Sequence, residues 1–125
     1  MLAVFISLFL FSVSSCSAAT VNIGPEADGR TIELDSGSTL VVNLESNPTT
    51  GYNWVISQKS NTPGLTLISN QYQPAETGQE LVGSGGVQVL TFKAESSSSN
   101  TLFLDYQREW EEEPIESFEV KISID

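Results

Sequence analysis

Thr39-Leu40-Val41-Val42-Asn43-Leu44, Asn47-Pro48-Thr49-Thr50-Gly51 and Tyr52-Asn53-Trp54-Val55-Ile56 follow one another almost without a break. The outer two segments are rich in β-branched and aromatic residues and read as strands, over residues 38–46 and 52–57. The segment between them is stranger than a connection has to be. Proline fixes φ, two β-branched threonines stiffen the chain, and glycine can take φ > 0. A stiff, small, uncharged loop thus sits in a strongly acidic protein. Taken alone it is also what an ordinary turn looks like, so its meaning depends on the rest of the chain.

Outward from this point the same grammar repeats. Toward the amino terminus, Thr20-Val21-Asn22-Ile23 and Thr31-Ile32-Glu33-Leu34 are short strands, with turn signals at Gly24-Pro25, Asp28-Gly29 and Asp35-Ser36-Gly37. Toward the carboxyl terminus, residues 65–69, 87–94, 101–106 and 117–124 read as strands. Residues 61–64 are read as a turn, 74–79 as a polar excursion, and 96–100 as a low-complexity loop. No window carries a helical period. Seven or eight short strands separated by turns predict an all-β fold, an immunoglobulin-like β-sandwich, with Trp54 in the core on a central strand. No disulfide can brace it, because the chain has a single cysteine.

The composition limits the functions on offer. Among 125 residues, sixteen are acidic, five are Lys or Arg, and none is histidine, giving a net charge of −11. Such a charge repels nucleic-acid phosphates and anionic membranes. An apolar fraction of 39% is enough for one packed core, so one domain is expected. Without histidine there is no Ser-His or Cys-His dyad, and no zinc site of the usual kind. A carboxylate pair could serve a glycosidase, yet so small a sandwich offers little room for a cleft. Binding is the better class, with no cofactor.

Residues 1–19 are expected to be a signal peptide. An apolar run over 2–13 is too short to span a bilayer and is followed by small residues, with cleavage after Ala18 or Ala19. No Lys or Arg precedes the run. A buried amino-terminal element is the competing reading, and Val13-Ser14-Ser15-Cys16 also matches a lipoprotein box with Cys16 as the lipid anchor. The domain proper is then 20–125, destined for secretion or a lysosome-like lumen, without cysteine or glycosylation sequon, since Pro48 blocks Asn47. A monomer is the expected state.

In a sandwich whose chain reverses at each strand, alternate loops share one end. That puts 47–51, 83–86 and 107–116 on a common rim. Gly83-Ser84-Gly85-Gly86 is either a flexible hairpin or a place where backbone approaches another surface; no helix follows, so it is not a phosphate loop. Arg108-Glu109-Trp110 puts an arginine and a tryptophan in a loop, a composition typical of binding hot spots. Glu109, Glu111, Glu112, Glu113 and Glu116 read as solvated charge or as a weak calcium site without EF-hand spacing.

Three motifs in this order, Asn47-Pro48-Thr49-Thr50-Gly51-Tyr52, Gly83-x-Gly85-Gly86 and Arg108-x-Trp110, resemble the chagasin family of cysteine-peptidase inhibitors. The resemblance covers essentially the whole of 20–125. It implies an immunoglobulin-like inhibitor whose three loops wedge reversibly into the active-site cleft of papain-like (clan CA) peptidases. Thr49 would then approach the catalytic cysteine, with Asn47, Pro48, Thr50, Gly51 and Tyr52 shaping the tip. Residues 83–87, including Gly83, Gly85, Gly86 and Val87, would run along the substrate cleft. Arg108 and Trp110 would pack on the primed side. The family usually has Arg-Pro-Trp in the third loop; here the middle residue is Glu109, which releases a φ restraint and adds a carboxylate. The competing class is an exported adhesion or carbohydrate-binding sandwich that stacks sugars on Trp110 and Tyr52.

Overall fold

A computed structural model describes residues 19–74 and 85–125. Eight strands alternate in direction: β1 Thr20–Ile23, β2 Thr31–Leu34, β3 Thr39–Ser46, β4 Tyr52–Ile56, β5 Leu65–Pro74, β6 Gly86–Ala94, β7 Ser98–Arg108 and β8 Glu116–Ile124. They form two four-stranded sheets, ordered β1-β3-β6-β5 and β2-β8-β7-β4. The pairs β1–β3 and β2–β8 are parallel, and the other neighbours are antiparallel. No α-helix occurs among the described residues; two 3₁₀ turns, Pro25–Ala27 and Pro48–Thr50, interrupt the strands. The expected all-β sandwich without a disulfide is what the chain adopts.

Period-two alternation builds the core. Leu40, Val42 and Leu44 of β3 and Leu90, Phe92 and Ala94 of β6 face Leu102 and Leu104 of β7 and Phe118, Val120, Ile122 and Ile124 of β8. Burial of each large aliphatic side chain is worth roughly 1.5–3 kcal/mol, so these four inner strands carry most of the fold.

Three polar residues fall in the inward phase. Gln88 precedes Leu90 and Phe92, Asn100 precedes Leu102 and Leu104, and Ser46 follows Leu44; all three are buried. Gln88 reaches across the sandwich as a surrogate strand. Its Oε1 accepts from the Trp54 N–H at 2.8 Å, and its Nε2 donates to the Trp54 carbonyl at 2.8 Å and to Asn70 Oδ1 at 2.9 Å. Trp54 is buried as expected, but on β4, an edge strand and not a central one. An edge can hold a buried tryptophan here because Gln88 satisfies its backbone and its Nε1 donates to the Glu45 carbonyl at 2.9 Å.

Other boundaries differ from expectation for physical reasons. Residues 98–100 are strand, not loop, and pair with Ile124, Ser123 and Ile122. Asn100 anchors them, accepting from the Gly64 N–H at 2.9 Å and donating to the Ile122 carbonyl at 3.2 Å. β5 runs on from residue 69 to Pro74, because backbone pairing with β6 continues after its apolar residues end. β7 likewise continues through Gln107 and Arg108, which pair with Asn53 and Tyr52, and leaves a third loop of 109–115. Residues 1–18 of the expected signal segment, residues 75–79 of the expected polar excursion, Gly83 and Ser84 lie outside the described residues, whereas Ala19, Gly85, Gly86 and Val87 lie within them.

Candidate functional site

Strand reversal brings the connections after β3, β5 and β7 to one end. Register shows it directly: Ser46 pairs with Gly86, Gly86 with Pro74, and Tyr52 with Arg108. Each of the three connections leaves the sheets at this rim.

The first loop folds on itself. Asn47 caps a single 3₁₀ turn: its Oδ1 accepts from the Thr49 N–H at 3.3 Å and from Thr49 Oγ1 at 2.5 Å. Pro48 takes the first helical position, where its lack of an N–H does no harm. Thr50 donates to the Asn47 carbonyl through both N–H, at 3.2 Å, and Oγ1, at 2.6 Å. Gly51 ends the turn at φ +85°, with its N–H on the Pro48 carbonyl at 3.0 Å. From beneath, the Tyr106 hydroxyl accepts the Asn47 N–H at 2.8 Å. Thr49 and Thr50 are exposed at the tip.

Below the tip runs a column of rings. Trp54 stacks on Tyr106 with centroids 4.9 Å apart, and Tyr106 packs on Tyr52 at 5.3 Å. The Arg108 guanidinium covers Tyr52 at 4.2 Å and lies 5.7 Å from the Trp110 ring. Arg108 Nε donates to the Thr50 carbonyl at 3.0 Å, and Nη1 is 3.3 Å from Glu111 Oε1. Tyr52 is thus half-buried, its ring in contact with Tyr106 and covered by Arg108.

Trp110 itself is 70% exposed. Its Cη2 lies only 2.7 Å from where a Cβ on Gly51 would stand, so glycine there lets the first and third loops touch. The second loop also leans on the first: a Cβ on Gly85 would meet the Ser46 carbonyl at 3.1 Å and Asn47 Cβ at 3.6 Å. A side chain on Gly86 would run into the Gln73 carbonyl, the Tyr72 hydroxyl and Pro74. Val87 continues β6 opposite Glu45 and Gln73. The glutamate-rich third loop contains no cluster of three metal-binding side chains among the described residues.

This geometry gathers Asn47, Pro48, Thr49, Thr50, Gly51, Gly85 and Trp110 on one rim. Tyr52 and Arg108 stand beside them, both half-buried, with the guanidinium over the Tyr52 ring. Reading from sequence missed Tyr106, Gln88 and Glu45 beneath them. Gln88 left a signal, as a polar residue in the inward phase of β6; the Tyr106 hydroxyl and the Glu45 carbonyl left none.

A family model described as chagasin family peptidase inhibitor I42 matches residues 33–122, which span all three loops. The chain belongs to the chagasin family. With that membership the reading as a cysteine-peptidase inhibitor, and not an enzyme, stands. Among curated proteins it is 27% identical to Amoebiasin-2 of Entamoeba histolytica over 121 residues, 93% of this chain and 97% of that one. Among solved structures, the cysteine protease inhibitor EhICP2 from Entamoeba histolytica superimposes with a TM-score of 0.76 at 24% identity, covering 86% of this chain and 96% of that one. PbICP-C, solved in complex with falcipain-2, shares the fold with a TM-score of 0.59 at 16% identity, covering 86% and 99%.

Proposed function

We propose that this protein is a reversible, tight-binding inhibitor of papain-like cysteine peptidases that seats its three rim loops in the active-site cleft. The observation that carries the reading is the contact among the loops: Trp110 against Gly51, and Gly85 against Ser46 and Asn47. Family membership supports it, as does the falcipain-2 complex of PbICP-C. Thr49 then faces the catalytic cysteine, residues 85–87 follow the substrate cleft, and Trp110 meets the primed side. Export through the segment 1–19 would deliver the domain to an extracellular or vesicular lumen.

The tip's chemistry explains why such a wedge is not cut. A peptidase needs an extended segment that presents a carbonyl to its oxyanion hole. Here the segment is a 3₁₀ turn, and the carbonyls of Asn47, Pro48 and Thr50 already accept hydrogen bonds from Thr50, Gly51 and Arg108. Because the turn is formed before binding, little ordering entropy is lost on association. Three loops of this size suffice for an interface of ~1,600 Å².

Titrating papain with the protein tests the proposal. Stoichiometric loss of activity with the inhibitor chain recovered intact is expected, and changing Thr49 and Thr50 together to alanine weakens inhibition at nearly constant Tm. Full papain activity at saturating protein, or progressive cleavage between residues 47 and 52, refutes it.

A further inference from the structure

We infer that Arg108 is a positioning residue, an internal strut that locks the first loop to the third, and not a contact to the peptidase. The inference rests on the inhibitory reading of the rim. Three of its interactions are made to groups of the protein's own chain and none depends on a partner, although the side chain is 31% exposed. Nε–H holds the Thr50 carbonyl at 3.0 Å, the guanidinium plane covers Tyr52 at 4.2 Å, and Nη1 meets Glu111 at 3.3 Å. A planar, forked cation makes all three at once; an ammonium on a flexible stem does not.

The third loop shows why such a strut is placed here. Glu111 N–H donates to the Arg108 carbonyl at 3.1 Å, which makes residues 108–111 a four-residue turn with Trp110 inside it. Glu109 stands at the second position of that turn, the one a proline would stiffen. In its absence the turn is clamped by the Arg108–Glu111 ion pair across its ends. The same guanidinium fixes the Thr50 carbonyl one residue before Gly51, against which Trp110 packs. One side chain therefore sets both the Thr49 tip and the Trp110 ring.

The test compares Arg108→Ala and Arg108→Lys with the parent protein by two readouts. Amide exchange of Thr50 and Gly51, followed by NMR in the free protein, is expected to rise about tenfold in Arg108→Ala, in line with loss of a charge-assisted hydrogen bond. Inhibition of papain is expected to weaken by about the same factor. Arg108→Lys, which keeps the charge and loses the fork, should match Arg108→Ala within about twofold in both readouts. If Arg108→Ala weakens inhibition while Thr50 and Gly51 exchange as in the parent, the arginine acts by touching the enzyme and the strut is refuted. Full recovery by Arg108→Lys refutes it too, since charge alone would then suffice. A parent protein that fails to inhibit papain would sink the proposed function, whereas exchange in the free variants decides the strut by itself.

Discussion

The connection at residues 47–51 and the one at 109–115 stand side by side and are held by opposite means. The first is closed largely by its own atoms, since the Asn47 side chain, the Thr50 hydroxyl and the Gly51 N–H all bond within five residues, and Tyr106 and Arg108 add one hydrogen bond each from outside. The second carries Trp110 and Ile115 exposed among glutamates, and it is steadied by Arg108, by the Tyr106 carbonyl accepting the Ile115 N–H, and by the surface of Gly51. One loop is a preformed wedge; the other is a large, apolar contact placed by its neighbours. Stiffness and contact area, the two ingredients of a tight interface, are thus divided between two loops.

The strongest way to break this division is Trp110→Ala. A tryptophan that anchors an interface is worth about 2 kcal/mol or more on truncation, so inhibition of papain should weaken by roughly 30-fold. Because the ring is 70% exposed, Tm should scarcely move. A Tm drop of the size seen for a core residue would mean that Trp110 supports the sandwich and is not reserved for a partner.

A smaller effect is expected where the loops meet. Gly51→Ala forces an L-residue to φ +85° and drives a methyl group into Trp110 Cη2. The backbone term alone is roughly 1–2 kcal/mol. The wedge should loosen and Trp110 should leave its seat, weakening inhibition about tenfold and lowering Tm by a few degrees. Combined with Trp110→Ala, the two losses should fall short of their sum, since the collision no longer exists. Simple additivity in that double variant would show that the loops act independently.

Much of this arrangement can be read from sequence because it follows from period and parity. Alternation in residues 38–46, 87–94, 101–106 and 117–124 gives the strands, and reversal at each strand puts alternate connections at one end. What could not be read depends on groups that meet only after folding. Residues 70–73 carry no apolar alternation because β5 is an edge strand with both faces largely exposed, so only its ladder to β6 makes it a strand. Ser98 and Ser99 look like loop, and only the buried Asn100 amide shows that the chain there is fixed. Arg108 reads as a contact residue by composition. Its hydrogen bond to the Thr50 carbonyl, fifty-eight positions away in sequence, left no such signal.

The smallest expected effect sharpens the comparison instead of breaking it. If the third loop is the less self-sufficient of the two, it should gain from the restraint that the first already has. Glu109→Pro puts proline at the second position of the 108–111 turn, where its φ is favoured. It also restricts Arg108 to extended backbone, which Arg108 as the last residue of β7 already adopts. Lower entropy in the free loop is worth about 0.4–1 kcal/mol, so papain inhibition should tighten roughly two- to fivefold. Glu109→Gln separates the two causes, because it removes the carboxylate and leaves φ free. Should Glu109→Gln reproduce the whole gain, and should added salt erase the difference from the parent, the limit on this loop is charge and not disorder. Should proline alone tighten binding, the third loop is short of stiffness, and Arg108 supplies most of what it has.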